Sequence, residues 1–300
     1  MKAPPLSPYH AQHNRWTDRA ADWVSYAAAR SVGFAMAPFP LWRGIEVIAT
    51  LGRWIIPRLP GPGKRLSDNL ARVYPDRAAA ARRAIAADAA AHFTRLCIEY
   101  LNLRRFADEV TTEVEGMERL VEARARGKGV VLVTAHYGNW EALRLACLRA
   151  GHECGIIYRP FNNRYVDRYT LSLIRLCGEP VMQKGPRGMR ALTGHIAKGG
   201  VALVLVDQRT TGAPLLPFLG HQAETLTVAA ALARRSGATL ITARARRMDT
   251  RGRFHVRLEA PVPEDTPEAM MTEVNRRIGA WIEEDPGQWF WVHRRWRRAG

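Results

Sequence analysis

Two titratable side chains, His136 and Glu141, lie in the segment TAHYGNWEALRLACLRAG and are separated by four residues. A histidine with an unperturbed pKa of about 6.5 can take a proton from a substrate hydroxyl near neutral pH. A carboxylate beside the imidazole can fix its tautomer and stabilise the imidazolium that forms. The spacing therefore predicts general base catalysis by His136, with Glu141 as its partner. Replacing Glu141 by alanine should be nearly as damaging as replacing His136.

The elements around this pair are predicted to be a buried strand, a sharp turn and a helix. Residues 130–134 are a β-branched apolar run, so His136 should lie at the carboxyl end of a strand. Asn139 is a good N-cap, and Gly151 stands where a helix ends in a left-handed residue. Glu141 then falls in the first helical turn, where the helix dipole favours a carboxylate that faces back toward His136.

The start of this helix also supplies candidate donors for a tetrahedral oxyanion. The backbone N–H groups of Gly138 and Asn139 are expected to donate to it. Both residues are therefore included among the candidate substrate-binding residues.

Two further polar residues, Arg159 and Asp207, follow apolar strands. The planar guanidinium of Arg159 suits a phosphate group on a substrate, although an ion pair with Asp207 or Glu141 is the alternative. Asp207 is interpreted as a residue that fixes loop geometry. His136, Glu141 and Asp207 are possible metal ligands. A histidine base paired with a carboxylate explains the layout more simply, so no metal or cofactor is expected.

The chain alternates strand and helix patterns after residue 106, which predicts an α/β fold with a mixed, largely parallel central sheet flanked by helices. Binding sites in such sheets gather at the carboxyl ends of the strands. The predicted division is an N-terminal helical, membrane-interfacial region at residues 1–106 and an α/β catalytic domain at residues 107–300.

The segment from Asp18 to Leu59 interleaves aromatic residues and arginines, and Pro38 and Pro40 divide it into two helices. Such helices suit a lipid headgroup boundary, although packing of the aromatics on the catalytic domain is an equal alternative. The uncharged stretch at residues 31–42 is too short to span a hydrocarbon layer that needs about 20 apolar residues. No cleavable signal peptide is evident.

The composition indicates a polyanionic partner or surface, because 45 basic and 28 acidic residues give a formal net charge of +17. Part of this excess reflects an arginine-rich, alanine-rich composition. The four cysteines form no CxxC pair and are expected to be reduced core residues. The C-terminal segment combines three tryptophans with four arginines, which suits an RNA-binding tail or, equally, a segment that lies on the domain beside an anionic lipid.

Several other catalytic plans are excluded by their missing motifs. The sequence contains no GxSxG elbow, no HExxH zinc motif, no GxxxxGK[ST] phosphate loop and no GxGxxG after a strand.

The ordered motifs resemble those of the bacterial lipid A biosynthesis acyltransferases, within the His-x4-Asp/Glu acyltransferase superfamily. They are TAHYGNWE (134–141), YRPFNNRYVD (158–167), RLCG (175–178), KGG (198–200), VDQR (206–209), PFLG (217–220) and QWFWVHRRW (288–296). The resemblance covers most of the chain from about Arg65 to Trp296. Carried over position by position, the resemblance assigns His136 as the base and Glu141 as its carboxylate partner. Arg159 matches the arginine of the YRPxNN motif and Asp207 the aspartate of the DQ motif, and both are substrate-binding candidates, as is Arg175 of RLCG.

The resemblance implies transfer of a fatty acyl group, usually from acyl carrier protein, to a hydroxyl of an anionic glycolipid acceptor. It also implies a location at the cytoplasmic face of the cell inner membrane, monotopic or with a single N-terminal anchor. The same chemistry on another membrane lipid is the nearest alternative. A basic, non-catalytic membrane or nucleic-acid binder has no need for these ordered blocks, so no nucleic-acid partner is expected.

Overall fold

The chain folds around a seven-stranded sheet, in a computed structural model that describes residues 16–296. The helices are α1 (Trp16–Met36), α2 (Leu41–Ile55), α3 (Pro62–Val73), α4 (Ala79–Leu101), α5 (Leu103–Glu109), α6 (Met117–Ala125), α7 (Trp140–Arg149), α8 (Arg164–Ile174), α9 (Pro186–Ala197), α10 (Val228–Ser236) and α11 (Pro267–Glu284). The strands are β1 (Thr111–Glu115), β2 (Val130–Thr134), β3 (Cys154–Tyr158), β4 (Val181–Gln183), β5 (Val201–Leu205), β6 (Leu215–Phe218), β7 (His221–Glu224), β8 (Thr239–Arg247) and β9 (Arg253–Pro261). Short 3₁₀ helices lie at Ile56–Arg58, Arg175–Cys177 and Pro286–Gln288.

The sheet has the strand order β1-β9-β8-β2-β5-β3-β4, and β8 and β9 form its antiparallel pair. The predicted mixed, largely parallel α/β sheet is therefore confirmed. β2 and β5 are parallel neighbours in which Thr134 lies opposite Leu205. Because the register continues past these residues, His136 and Asp207 emerge side by side at the carboxyl edge of the sheet.

The two faces of the sheet support two hydrophobic clusters. Val131 and Val133 of β2 point into one cluster, and Val130 and Leu132 point into the other. All five residues of β2 are buried, as the apolar run predicted. Helices α3, α4, α9, α10 and α11 contribute to the first cluster, and helices α2, α5, α6, α7 and α8 to the second. The strand that precedes His136 is thus packed on both faces, which supports His136 rigidly.

The amino-terminal helices agree with the predicted break, because α1 ends at Met36 and α2 begins at Leu41, on either side of Pro38 and Pro40. Several large apolar side chains of these helices and of the turn between them are exposed, including Trp23, Val24, Phe34, Phe39, Val47, Leu51, Trp54 and Ile55. Within residues 16–296, no helix combines the length and the apolar character needed to cross a membrane. Residues 1–15, which belong to the predicted membrane-interfacial region, lie outside the described residues.

The C-terminal segment differs from the RNA-binding tail that was one interpretation of it, because its aromatic side chains are core residues that pack on the domain. Trp289, Trp291 and Trp296 are buried, and Phe218 of β6 packs against the first and the third of them. Arg295 is also buried and donates to the backbone oxygen of Glu224 at 2.5 Å. An exposed RNA-binding tail therefore does not describe residues 289–296, whereas the position of this segment beside an anionic lipid stays a prediction. Hydrophobic burial outweighs the arginine-rich composition here.

Two smaller features were also not predicted correctly. The hairpin of β6 and β7 was absent from the predicted elements, and it covers the C-terminal tryptophans. Cys147, Cys154 and Cys177 are free and buried as expected, whereas Cys97 is exposed. The division at residue 106 stays a prediction; α3 and α4 share a hydrophobic cluster with β2.

Candidate active site

The imidazole of His136 is held by the carboxylate of Asp207. Nδ1 of His136 lies 2.7 Å from Oδ1 of Asp207, and the backbone N–H of His136 donates to Oδ2 at 2.9 Å. The indole of Trp289 donates to the same Oδ2 at 2.8 Å. Since the carboxylate only accepts when ionised, the neutral imidazole carries its proton on Nδ1 and presents the lone pair of Nε2 as an acceptor.

Asp207 is buried, and its environment keeps it ionised. Burial by itself raises the pKa of a carboxyl group, but the neighbouring His136 and the hydrogen bonds from His136 and Trp289 lower the pKa of Asp207 to about 2. The carboxylate therefore remains charged at neutral pH. It can stabilise an imidazolium that forms when His136 takes a proton.

Glu141 makes different contacts from those expected. Its Oε1 accepts from the hydroxyl of Tyr100 at 2.7 Å, and its Oε2 accepts from Nη1 of Arg144 at 2.6 Å. The side chains of Glu141 and Arg144 are fully buried. The expectation that Glu141 contacts the imidazole is therefore corrected, because the carboxylate that fixes the tautomer belongs to the neighbouring strand end. Whether Glu141 is required for catalysis stays a prediction.

Glu141 nevertheless connects to His136 through two aromatic side chains. Tyr100 accepts at its hydroxyl from the indole N–H of Trp140 at 2.7 Å while it donates to Glu141. Burial raises the pKa of Tyr100 well above its ordinary value, so the phenol stays protonated. The ring of Trp140 then packs edge-on against His136 with centroids 5.1 Å apart. Glu141 is thus placed to position the imidazole indirectly.

The backbone N–H groups that were expected to bind an oxyanion already have partners. The N–H of Gly138 donates to the backbone oxygen of Gln288 at 3.0 Å, and that of Asn139 donates to the backbone oxygen of Ala245 at 3.1 Å. Both residues are buried. Gly138 has a φ of +57°, and a Cβ there would lie 1.7 Å from the backbone oxygen of Ala245. These two residues build the turn, and their assignment as substrate contacts is corrected.

Asn139 shows why the turn is fixed in this position. Its side-chain oxygen accepts from the N–H of Glu141 at 2.9 Å, which confirms the predicted N-cap. Its amide donates to Glu99 at 2.8 Å, and the same buried carboxylate is paired with Arg247. His92, to which the sequence assigned no chemistry, lies 3.0 Å from the backbone oxygen of Gly138. Burial lowers the pKa of His92 well below its ordinary value, so the ring is neutral and donates there.

Two residues beside the imidazole were missed as site residues. The amide nitrogen of Gln208 lies 3.2 Å from Nε2 of His136, and Gln208 is exposed. Phe290 packs on the imidazole with ring centroids 5.7 Å apart, and its N–H donates to the backbone oxygen of His136 at 3.0 Å. Gln208 lies within the VDQR block, next to a candidate residue, which is the signal that identifies it. Phe290 had no local signal because it comes from the C-terminal segment.

Arg159 and Arg175 lie at opposite ends of the strands, Arg159 at the carboxyl end and Arg175 at the amino end. Arg159 follows the last residue of β3 and is exposed at the carboxyl edge, on the strand next to β5. Arg175 precedes β4, at the amino edge, where its Nε lies 3.3 Å from Glu179. The structure does not bring Arg175 to His136, and its candidate role in substrate binding stays a prediction. The phosphate contact expected of Arg159 stays a prediction.

The block after β3 also fixes the first helix. The side-chain oxygen of Asn163 caps α8 by accepting from the N–H groups of Tyr165 and Val166. Its amide donates to the backbone oxygen of Asp22 at 2.6 Å and to the hydroxyl of Ser25 at 2.8 Å. Helix α1 is therefore attached to the element that follows Arg159.

Comparisons with known proteins agree with this arrangement of motifs. The family model described as bacterial lipid A biosynthesis acyltransferase matches residues 8–298. A lipid A biosynthesis lauroyltransferase of Escherichia coli strain K12 is 32% identical over 197 residues, which cover 62% of this chain and 62% of the relative. A lipid A biosynthesis acyltransferase of Haemophilus influenzae is 24% identical over 185 residues, covering 60% of this chain and 58% of the relative.

A lipid A biosynthesis palmitoleoyltransferase of Escherichia coli strain K12 is 27% identical over 199 residues, covering 62% of this chain and 61% of the relative. The chain thus spans about three fifths of the length of the curated relatives that it matches. The family match extends over nearly the whole sequence, including the strand ends that carry His136, Arg159 and Asp207. The chain therefore belongs to the bacterial lipid A biosynthesis acyltransferase family.

Proposed function

We propose that the protein transfers a fatty acyl group from an acyl thioester to a hydroxyl of a lipid A precursor, with His136 as the general base. The observation that carries this proposal is the hydrogen bond between Nδ1 of His136 and the buried carboxylate of Asp207. It leaves Nε2 of a side chain that is 19% exposed as the proton acceptor. Family membership supports the acyl transfer and the lipid A acceptor.

The reaction requires two proton transfers at Nε2 of His136. In the first step Nε2 takes the hydroxyl proton while the acceptor oxygen attacks the thioester carbonyl carbon, and a tetrahedral oxyanion forms. Asp207 stabilises the imidazolium during this step. The oxyanion then collapses, the carbon–sulfur bond breaks, and His136 returns its proton to the leaving thiolate. No covalent intermediate on the protein is needed.

Gln208 is the proposed side-chain donor to the oxyanion. Its amide lies beside Nε2 of His136, where the acceptor hydroxyl and the thioester carbonyl must meet. The N–H groups of Gly138 and Asn139 have other partners, so the exposed amide of Gln208, which faces Nε2 of His136 here, is the donor that can turn to the oxyanion when the substrate hydroxyl takes its place at Nε2. Removing one such donor typically costs about 10²-fold to 10³-fold in kcat.

The acyl donor is proposed to be acyl carrier protein, and the site of action is proposed to be the cytoplasmic face of the inner membrane. Helices α1 and α2 support the membrane location, because they expose Trp23, Phe34, Trp54 and Ile55 among basic residues. Isolated apolar side chains are common on protein surfaces, but a set of this size on adjacent helices suits a lipid interface. A Trp54→Ser variant should bind anionic vesicles more weakly than the wild type in a sedimentation assay.

The test is an acyl transfer assay with purified protein and a panel of lipid acceptors. The donor is acyl carrier protein that carries a labelled acyl chain. We expect labelled product with the lipid A precursor, and a loss of about 10²-fold to 10⁴-fold in rate for His136→Ala. Circular dichroism must show that this variant remains folded. Transfer only to another lipid would shift the acceptor assignment to that lipid. Unchanged transfer by His136→Ala would contradict the proposed base.

A further inference from the structure

A basic groove of about 800 Å³ lies between α3 and the C-terminal segment. It is open to solvent, and its lining brings together side chains that are far apart in the sequence. Its charged lining residues are Lys64, Arg65, Asp68, Arg72, Arg209 and Arg294. Five cations and one carboxylate give this lining a net formal charge of +4. Clustered cations in a concave surface attract and retain anions more strongly than the same charges dispersed on a flat surface.

One residue of the groove lining, Arg209, belongs to the segment that carries Asp207. Arg209 directly follows Gln208, whose amide lies 3.2 Å from Nε2 of His136. The N–H of Arg209 also donates to Nε2 of His293 at 3.3 Å. One backbone step, about 3.8 Å between Cα atoms, separates Arg209 in the groove lining from Gln208 beside the imidazole. A ligand in this groove is therefore close enough to be a part of a reacting substrate.

The walls of the groove are fixed by contacts beneath it. The amide of Asn69 on α3 donates to the backbone oxygens of Trp291 and His293 at 2.7 and 2.8 Å. Nε of Arg209 donates to Glu224 at 2.6 Å, and the side chain of Glu224 is 1% exposed. Helix α3, the C-terminal segment and the strand end of β5 are thus joined around one cavity. A preformed site loses less ordering entropy on binding than a flexible one.

We propose that this groove binds a phosphate ester of a substrate, and that its source is the phosphorylated sugar headgroup of the acceptor. The proposal rests on the proposed acyl transfer and adds a recognition site to it. Arginines suit phosphate because the planar guanidinium can donate two parallel hydrogen bonds to it. The volume of about 800 Å³ accommodates a sugar together with its phosphate. The phosphate of the phosphopantetheine arm of the donor is the other possible source.

The test compares two double variants that remove the same charge. Lys64→Gln/Arg294→Gln removes two exposed cations from the groove, and neither side chain contacts the His136–Asp207 pair among the described residues. Arg234→Gln/Arg235→Gln removes two exposed cations from the end of α10, near the amino edge of the sheet. KM and kcat are measured for each with the phosphorylated acceptor, with the enzymatically dephosphorylated acceptor and with varied donor.

We expect the groove variant to raise KM for the phosphorylated acceptor about 10-fold with little change in kcat, because two charge-assisted contacts are weakened. It should not change KM for the dephosphorylated acceptor or for the donor, and the α10 variant should resemble the wild type. An effect confined to the donor KM would overturn the acceptor as the source of the phosphate. An equal effect of both double variants, or no effect of either, would overturn the groove site.

A binding measurement separates this proposal from the proposed function. Glucosamine 1-phosphate, added to the inactive His136→Ala variant, should bind in a titration monitored by ³¹P NMR, and the Lys64→Gln/Arg294→Gln change in the same background should weaken it. If the sugar phosphate binds but the wild type transfers no acyl group, the groove proposal stands and the proposed function is contradicted. If the wild type transfers acyl groups but the sugar phosphate binds equally well to His136→Ala with and without the Lys64→Gln/Arg294→Gln change, the groove proposal is contradicted.

Discussion

Two carboxylates near the catalytic turn, Asp207 and Glu141, differ in what they contact. Asp207 accepts from the imidazole and the backbone of His136, at the end of the neighbouring strand. Glu141 lies on the helix that follows His136 but accepts from Tyr100 and Arg144 in the protein interior. The nearer residue in sequence is therefore the one without direct contact to the imidazole. Sheet register brings Asp207 to His136, whereas the helical turn directs Glu141 inward.

This difference assigns separate tasks to the two carboxylates. Asp207 sets the tautomer and the charge of His136, so it should control the chemical step. Glu141 neutralises a buried arginine and supports the ring that packs on His136, so it should control stability and positioning.

The largest effect is expected for Asp207→Asn. The amide can still accept the two N–H groups at Oδ1, but its NH₂ group then faces Nδ1 of His136 and forces the proton onto Nε2. We expect kcat to fall about 10²-fold to 10⁴-fold, in the range of a general base that is lost. Steady-state acyl transfer measures this loss, and thermal unfolding serves as the control for folding. Near wild-type kcat in a folded Asp207→Asn protein would remove the distinction between the two carboxylates.

Glu141→Gln should act mainly on stability. It leaves the guanidinium of Arg144 buried without its charged partner, which typically costs about 3–5 kcal/mol in the free energy of unfolding. Urea unfolding followed by circular dichroism measures this cost. The folded fraction should keep the pH dependence of kcat/KM of the wild type, because the tautomer of His136 is unchanged. A shifted pH profile together with unchanged stability would assign the role of Asp207 to Glu141.

The pH dependence of stability should also distinguish the wild type from Asp207→Asn. The pKa of Asp207 is about 2 in the folded state, below the value of about 3.9 in an unfolded chain. Its contribution to stability is therefore fully present above about pH 4 and is lost as the pH falls toward 2. The lowering corresponds to about 2 kcal/mol. Urea unfolding at pH 7, 4 and 2.5 should show the advantage of the wild type shrinking; a constant difference would contradict the assignment.

The smallest effect is expected for Tyr100→Phe. The change removes the hydroxyl that joins Glu141 to Trp140 and leaves two buried polar groups short of one partner each. We expect a loss of about 1–3 kcal/mol in unfolding free energy and a several-fold loss in kcat. A loss of activity as large as that of Asp207→Asn would mean that the path through Tyr100 and Trp140 matters as much for catalysis as Asp207, and would contradict the separate tasks of the two carboxylates.

The sequence predicted the sheet class and the strand end at His136 because apolar runs and cap residues are local signals. It also placed Asp207 at a strand end, but it could not show that β5 is the neighbour of β2, since strand order is not a local property. The contacts of Glu141 were missed for a similar reason. Tyr100 lies on α4, and the cavity that encloses Arg144 forms only when α7 packs against the segment before β4.

The C-terminal segment illustrates the opposite error. Its arginines suggested an exposed tail, yet the buried tryptophans decide its position and Arg295 is carried into the interior with them. Long-range packing against the β6–β7 hairpin, which no local pattern indicated, therefore determines where Phe290 meets the imidazole.

The tautomer of His136 tests the central claim most directly. In ¹⁵N NMR spectra of protein labelled at the histidine rings, assigned by comparison with His136→Ala, the account predicts a proton on Nδ1 in the wild type and in Glu141→Gln. It predicts a proton on Nε2 in Asp207→Asn. A tautomer that changes in Glu141→Gln but not in Asp207→Asn would contradict the account.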